Sequence, residues 1–237
     1  MADSTKPNGK PTIVRAVAKK SPQTEPERFS VVNIAQQNAW QVPILVPMLY
    51  LAAIPLAEYA ARLRLISFIM NKIGPLALWI LSGFDSNAWN GVKIVKSDGN
   101  GSLANSVLIT SLFYSFVVYV VSAVISIAGQ AAGNQAGYQN HEPRKGKESL
   151  TGYCHRMVSA HANLMETFPL FAISVLFTQM IAPNNEHLVE LVCLQAFAKT
   201  FVYIPSYISN VDLPRTISHF LSVGAALRTL TILAIHA

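Results

Sequence analysis

The 237-residue chain is 51% hydrophobic and 13% charged, with a mean hydropathy of +0.35 and a formal net charge of +6. A soluble domain carries about 25% charged residues, so this composition excludes an ordinary soluble protein and indicates a membrane protein. The positive charge marks membrane-flanking segments rather than a nucleic-acid site, because no aromatic-and-basic motif accompanies it.

Residues 1–39 form a basic polar tail with Lys6, Lys10, Arg15, Lys19, Lys20 and Arg28. They contain no apolar run of the kind a cleaved signal peptide needs. Residues 40–100 form an apolar extension. Its first stretch, 41–57, is interrupted by Pro43, Pro47 and Pro55, and its second, 65–84, by Asn71, Lys72, Gly74 and Pro75. The extension is predicted to make one crossing or to lie as interfacial helices. A basic loop at Arg144, Lys145 and Lys147 predicts a cytoplasmic connection by the positive-inside tendency. A cytoplasmic tail then requires an odd number of crossings before residue 104.

Four helices follow. Residues 101–140 carry no charged side chain, and 104–129 suffices to span the hydrocarbon core, which takes about 20 apolar residues. The second helix is predicted over 150–182 and ends at the turn signal Pro183-Asn184-Asn185. The third covers 187–209 and the fourth 214–236, with Asp212 as N-cap and Pro214 in the first turn. Short loops make the last three antiparallel neighbours. The expected fold class is all-α: an integral membrane up-down four-helix bundle over 101–237 with an additional N-terminal membrane-apposed extension. The protein is expected to be multi-pass, in an endomembrane or organellar membrane. Cys154 and Cys193 are expected to be free thiols, since two cysteines make no disulfide framework. Gly129, Gly133 and Gly137, four apart, suit either close helix approach or helix termination.

The second helix opens on an unusual polar head, His155-Arg156 through Thr167. At about 100° per residue, Asn163 and Thr167 fall within about 20° of Arg156, and Glu166 lies about 80° to the side. Ionisable groups inside a span face the bundle interior or a wet cavity and are functional candidates; an interhelical polar lock is the competing reading. Lys199, Tyr203 and Tyr207 make a second stripe at i, i+4 and i+8. The alternating topology brings Arg156, Tyr203, Tyr207 and Arg215 to one membrane level. Arginines take carboxylates bidentately, and phenols donate to a thiolate or oxyanion. The set therefore suits a small anionic ligand meeting an apolar one from the bilayer. His155 and His161 lie about 120° apart and form no metal-binding face. Arg228, near the far end of the last helix, is expected to snorkel.

Arg156, Ala160, Asn163, Glu166 and the run Phe168-Pro169-Leu170-Phe171 resemble the second-helix pattern of the membrane-associated proteins in eicosanoid and glutathione metabolism. The loop 142–153 and the segment 203–216 are similar to the family's preceding loop and its Tyr-rich third-to-fourth helix junction. The resemblance covers about 104–236. It implies a trimeric bundle that binds glutathione between subunits, with Arg156, Asn163, Glu166 and Tyr203 as binding residues and Arg215 and Tyr207 as catalytic ones. It implies no metal and no nucleic-acid partner. The activity implied is a glutathione-dependent membrane transferase or peroxidase acting on lipophilic electrophiles or hydroperoxides. His155 and Ser159 stand where catalytic members carry Glu and a second Arg. With the long extension, they define the alternative: a catalytically silent structural subunit of a membrane complex.

Overall fold

The computed structural model describes residues 42–81, 101–134, 137–138, 141 and 145–236. The basic tail 1–39, residues 82–100 and Arg144 lie outside them. Every regular element among the described residues is helical.

The extension forms two helices, α1 (Val42–Arg62) and α2 (Leu65–Leu81). Arg64 makes the tight turn between them at a positive φ of 52°. Pro47 and Pro55 lie inside α1, a placement that membrane helices tolerate where neighbouring groups satisfy the freed carbonyls. Helix α3 (Gly101–Phe116) passes through a π-turn, Val117–Val121, into α4 (Ser122–Gly133). A short helix α5 (Lys145–Glu148) precedes α6 (Gly152–Ile181). Asn185 then caps α7 (Glu186–Phe197), its side-chain oxygen accepting from the backbone N–H groups of His187 and Leu188. A second π-turn, Ala198–Tyr203, leads into α8 (Ile204–Ile208), and Asn210 turns the chain at a positive φ of 59° into α9 (Asp212–His236).

Five of these stretches are long and apolar enough to cross a membrane: 44–62, 105–133, 152–181, 186–208 and 212–235. The protein is a multi-pass integral membrane protein. Helix α2, with 17 residues, is shorter.

Helix α7 occupies the centre. It touches α1, α2, α3, α6 and α9, and Leu188, Leu191, Val192, Cys193 and Leu194 are all at most 1% exposed. Burying apolar side chains on every side fixes it as the axis around which the others pack. Helix α1 lies along α9, and α2 lies against α3.

Small residues set two of the close approaches. A Cβ at Gly129 would stand 2.9 Å from Met157 Cβ and 3.0 Å from the Cys154 carbonyl oxygen, and one at Gly133 would stand 2.9 Å from Cys154 Cβ. Of the two readings open for the glycine series, close approach therefore holds for Gly129 and Gly133. Gly137 has a φ of +70° and open space around it, so it serves the turn. Both cysteines are free thiols.

Candidate functional site

The polar head of α6 divides in the fold. Arg156 donates from Nε to the Ile208 carbonyl at 3.1 Å, holding the start of α6 against the end of α8. Asn163 accepts on Oδ1 from Lys199 Nζ at 3.4 Å. The Thr167 hydroxyl bonds back to the Asn163 carbonyl at 3.0 Å, so it is satisfied within its own helix. Glu166 is exposed. Arg156 and Asn163 thus turn toward α7 to α8, while Glu166 points away from the interior.

The tyrosine stripe is also redistributed. The π-turn inserts an i to i−5 bond, from Ile204 N–H to the Lys199 carbonyl, and breaks the 3.6-residue period that would align Lys199, Tyr203 and Tyr207 on one face. Pro205, just after it, has no N–H to donate, so the wider turn accommodates the ring without a sharp break. Lys199 and Tyr203 become 1% and 2% exposed, while Tyr207 stays half-buried.

Around them a cluster forms. The Tyr203 and Tyr207 rings are 5.4 Å apart, and the Arg215 guanidinium lies 5.1 Å from the Tyr207 ring centroid, a cation–π contact. Arg215 also pairs with Asp212 at 2.8 Å, so the predicted capping residue is held by the guanidinium one turn on. Lys199 Nζ lies 4.2 Å from the Tyr203 ring centroid and 2.9 Å from His219 Nδ1. His219 Nε2 in turn meets the Tyr50 hydroxyl at 3.0 Å. The polar chain therefore runs from α6 through the π-turn and α9 to α1.

Among the expected site residues, Arg156, Tyr207 and Arg215 meet where α6, α8 and α9 converge. Asn163 and Tyr203 lie deeper, joined through Lys199. Glu166 is not drawn into the cluster. The sequence reading missed His219 and Tyr50 altogether. His219 carried a signal: it stands four residues after Arg215, hence on the same face of α9.

The histidines and the far arginine resolve differently. His161 Nδ1 meets the Ser122 hydroxyl at 2.9 Å, so it faces a neighbouring helix. Arg228 does not simply snorkel. Its Nε donates to Glu58 at 2.9 Å, and His187 Nε2 meets the same carboxylate oxygen at 2.9 Å. Glu58, a carboxylate in α1, was available to neutralise it; the expectation had considered only the end of its own helix.

The fold and cluster define a class: a helical, multi-pass membrane protein with cationic and phenolic side chains gathered at one end of its spans. The chain belongs to the MAPEG family, the membrane-associated proteins in eicosanoid and glutathione metabolism; the match covers residues 107–235, just over half the chain. No curated protein and no solved structure matches it.

Proposed function

We propose that the protein is a glutathione-dependent membrane transferase or peroxidase, with the four helical stretches from α3 to α9 as its glutathione-binding bundle and α1 and α2 as an added layer. Members of the family use glutathione. The observation that carries the proposal is the convergence of two guanidinium groups, Arg156 and Arg215, with the Tyr207 ring at the junction of α8 and α9. A guanidinium offers five N–H donors. Arg156 commits Nε to Ile208, and Arg215 has one short pair with Asp212, so donors remain for the two carboxylates of a tripeptide.

In the reaction, Arg156 and Arg215 bind and orient those carboxylates. Tyr207, stacked against Arg215, presents its hydroxyl to the sulfur. The thiolate then forms a carbon–sulfur bond with a lipophilic electrophile, whose leaving group departs with its electron pair. An apolar hollow of about 380 Å³ is lined by Pro214, Ile217, Leu221 and Phe197, beside Arg215. It offers the second reactant a route from the bilayer.

Calorimetry in detergent tests the reading. Wild-type protein should bind glutathione, and Arg156→Ala should bind about tenfold more weakly, the lower end of the 1.5–3 kcal/mol for a hydrogen bond to a charged group. No binding by the wild type at millimolar glutathione overturns it.

One observation favours a second reading. Asp212 already neutralises Arg215, and α1 is tied into the cluster through Tyr50. A set satisfied by its own chain is what a silent structural subunit would retain. Purification with a larger membrane complex, together with failure to bind glutathione, would establish that role. A homotrimer is expected for the enzyme and is checked by mass measurement of the detergent-solubilised protein.

A further inference from the structure

Lys199 is 1% exposed in the interior of a membrane-spanning helix. Its contacts are neutral or aromatic: the Asn163 amide oxygen at 3.4 Å, His219 Nδ1 at 2.9 Å and the Tyr203 ring at 4.2 Å. Behind His219 stands Tyr50, and beyond Tyr203 stand Tyr207 and Arg215. Glu166, one turn along α6 from Asn163, is exposed and makes no ion pair with it. Among the described residues no carboxylate pairs with Lys199. An ammonium group removed from water is costly unless a counter-charge accompanies it. The other buried charge on this helix is treated differently: Glu190, 5% exposed, is bonded by both the backbone N–H and the hydroxyl of Ser67.

We propose that the missing counter-charge is the anion of the bound ligand, so that Lys199 is a positioning residue that holds the glutathione sulfur as thiolate. The inference rests on the glutathione reading above. Lys199 acts in two ways. It fixes the Asn163 amide by occupying Oδ1, leaving both Nδ2 hydrogens for the ligand. It also places a fixed positive charge in a low-dielectric interior, where its field on a nearby anion is much stronger than in water. On binding, the S–H bond breaks, the electron pair stays on sulfur and the proton leaves to the buffer.

The test is calorimetry of the full-length protein in detergent with glutathione, at neutral pH in two buffers of different ionisation enthalpy. Ultraviolet absorbance of the thiolate is followed in parallel. The wild type should release close to one proton per glutathione bound. Lys199→Met should still bind but lose the proton release and the thiolate band, and Lys199→Arg should restore both. Asn163→Asp keeps the protein testable if Lys199→Met does not fold. It gives the lysine a resident carboxylate, so it should raise the unfolding temperature while abolishing proton release. Undiminished proton release by Lys199→Met, wild-type binding without proton release, or a lowered unfolding temperature for Asn163→Asp overturns the inference and leaves glutathione binding standing. A wild type that binds no glutathione removes the glutathione reading and this inference together.

Discussion

Glu58→Met will destabilise the protein by about 2–3 kcal/mol, just under the 3–5 kcal/mol typical when one partner of a fully buried pair is removed. The Glu58 side chain is 19% exposed, and it is approached by Arg228 at 2.9 Å, His187 at 2.9 Å and Arg62 at 3.3 Å. Three elements meet there: α1 supplies Glu58 and Arg62, α7 supplies His187 and α9 supplies Arg228. Without the carboxylate, Arg228 is left beside His187 with no negative charge against it, in a helix of low polarity. The loss would be read as a fall in unfolding free energy in a detergent–denaturant titration. Arg64 pairs with Glu186 at 2.6 Å on the neighbouring turn, but both side chains are more than half exposed, and exposed pairs contribute little. Arg64→Ala should therefore leave stability nearly unchanged. The double variant Glu58→Met with Arg228→Met should recover part of the loss, because an ion pair replaced by apolar groups costs far less than a charge left alone. If Glu58→Met proves as mild as Arg64→Ala, the carboxylate is solvated and does not hold α1 to the bundle.

The contrast between these groups shows what the sequence could disclose. Helical periodicity and hydropathy are local properties, so the long apolar stretches, the turn at Asn185 and the polar head of α6 were readable from neighbouring residues. The family resemblance rested on the same local spacing around Arg156, Asn163 and Glu166. What escaped was long-range or aperiodic. Glu58 and Arg228 are 170 residues apart, and Tyr50 and His219 are 169 apart. No local pattern joins them, because their proximity depends on how α1 lies along α9. The π-turn at Ala198–Tyr203 is the other kind of loss. A fixed step of about 100° per residue assumes an uninterrupted α-helix. One π-turn rotates everything after it, so Lys199 and Tyr203 end in the core although the regular stripe grouped them with Tyr207. The resulting site is deeper and more self-contacting than two aligned stripes would suggest. Its most buried charge, Lys199, therefore matters more to the proposed chemistry than the exposed Glu166.

Gly224→Val should have the largest effect of any single substitution outside the candidate site, lowering stability by about 3 kcal/mol, the upper end for overpacking a close-packed interior. A Cβ at Gly224 would stand 2.8 Å from the Ala53 carbonyl carbon, 2.9 Å from its Cβ and 2.9 Å from its oxygen. Two of those atoms are backbone, so no side-chain rotation relieves the clash; α1 and α9 must move apart. Gly74 is the instructive comparison. Its hypothetical Cβ meets a side-chain methyl, Ile109 Cγ2, and the next nearest atom is 3.6 Å away. A rotamer change at Ile109 can accommodate Gly74→Ala, which should cost far less than Gly224→Ala. Separation of α1 from α9 would also pull Tyr50 from His219 and Glu58 from Arg228, since both contacts cross the same helix pair. Gly224→Val should consequently expose α1 to limited proteolysis while α6, α7 and their mutual contacts stay protected. Uniform protection of α1 in that variant would mean that the two helices adjust without separating, and that the packing of the extension does not depend on this contact.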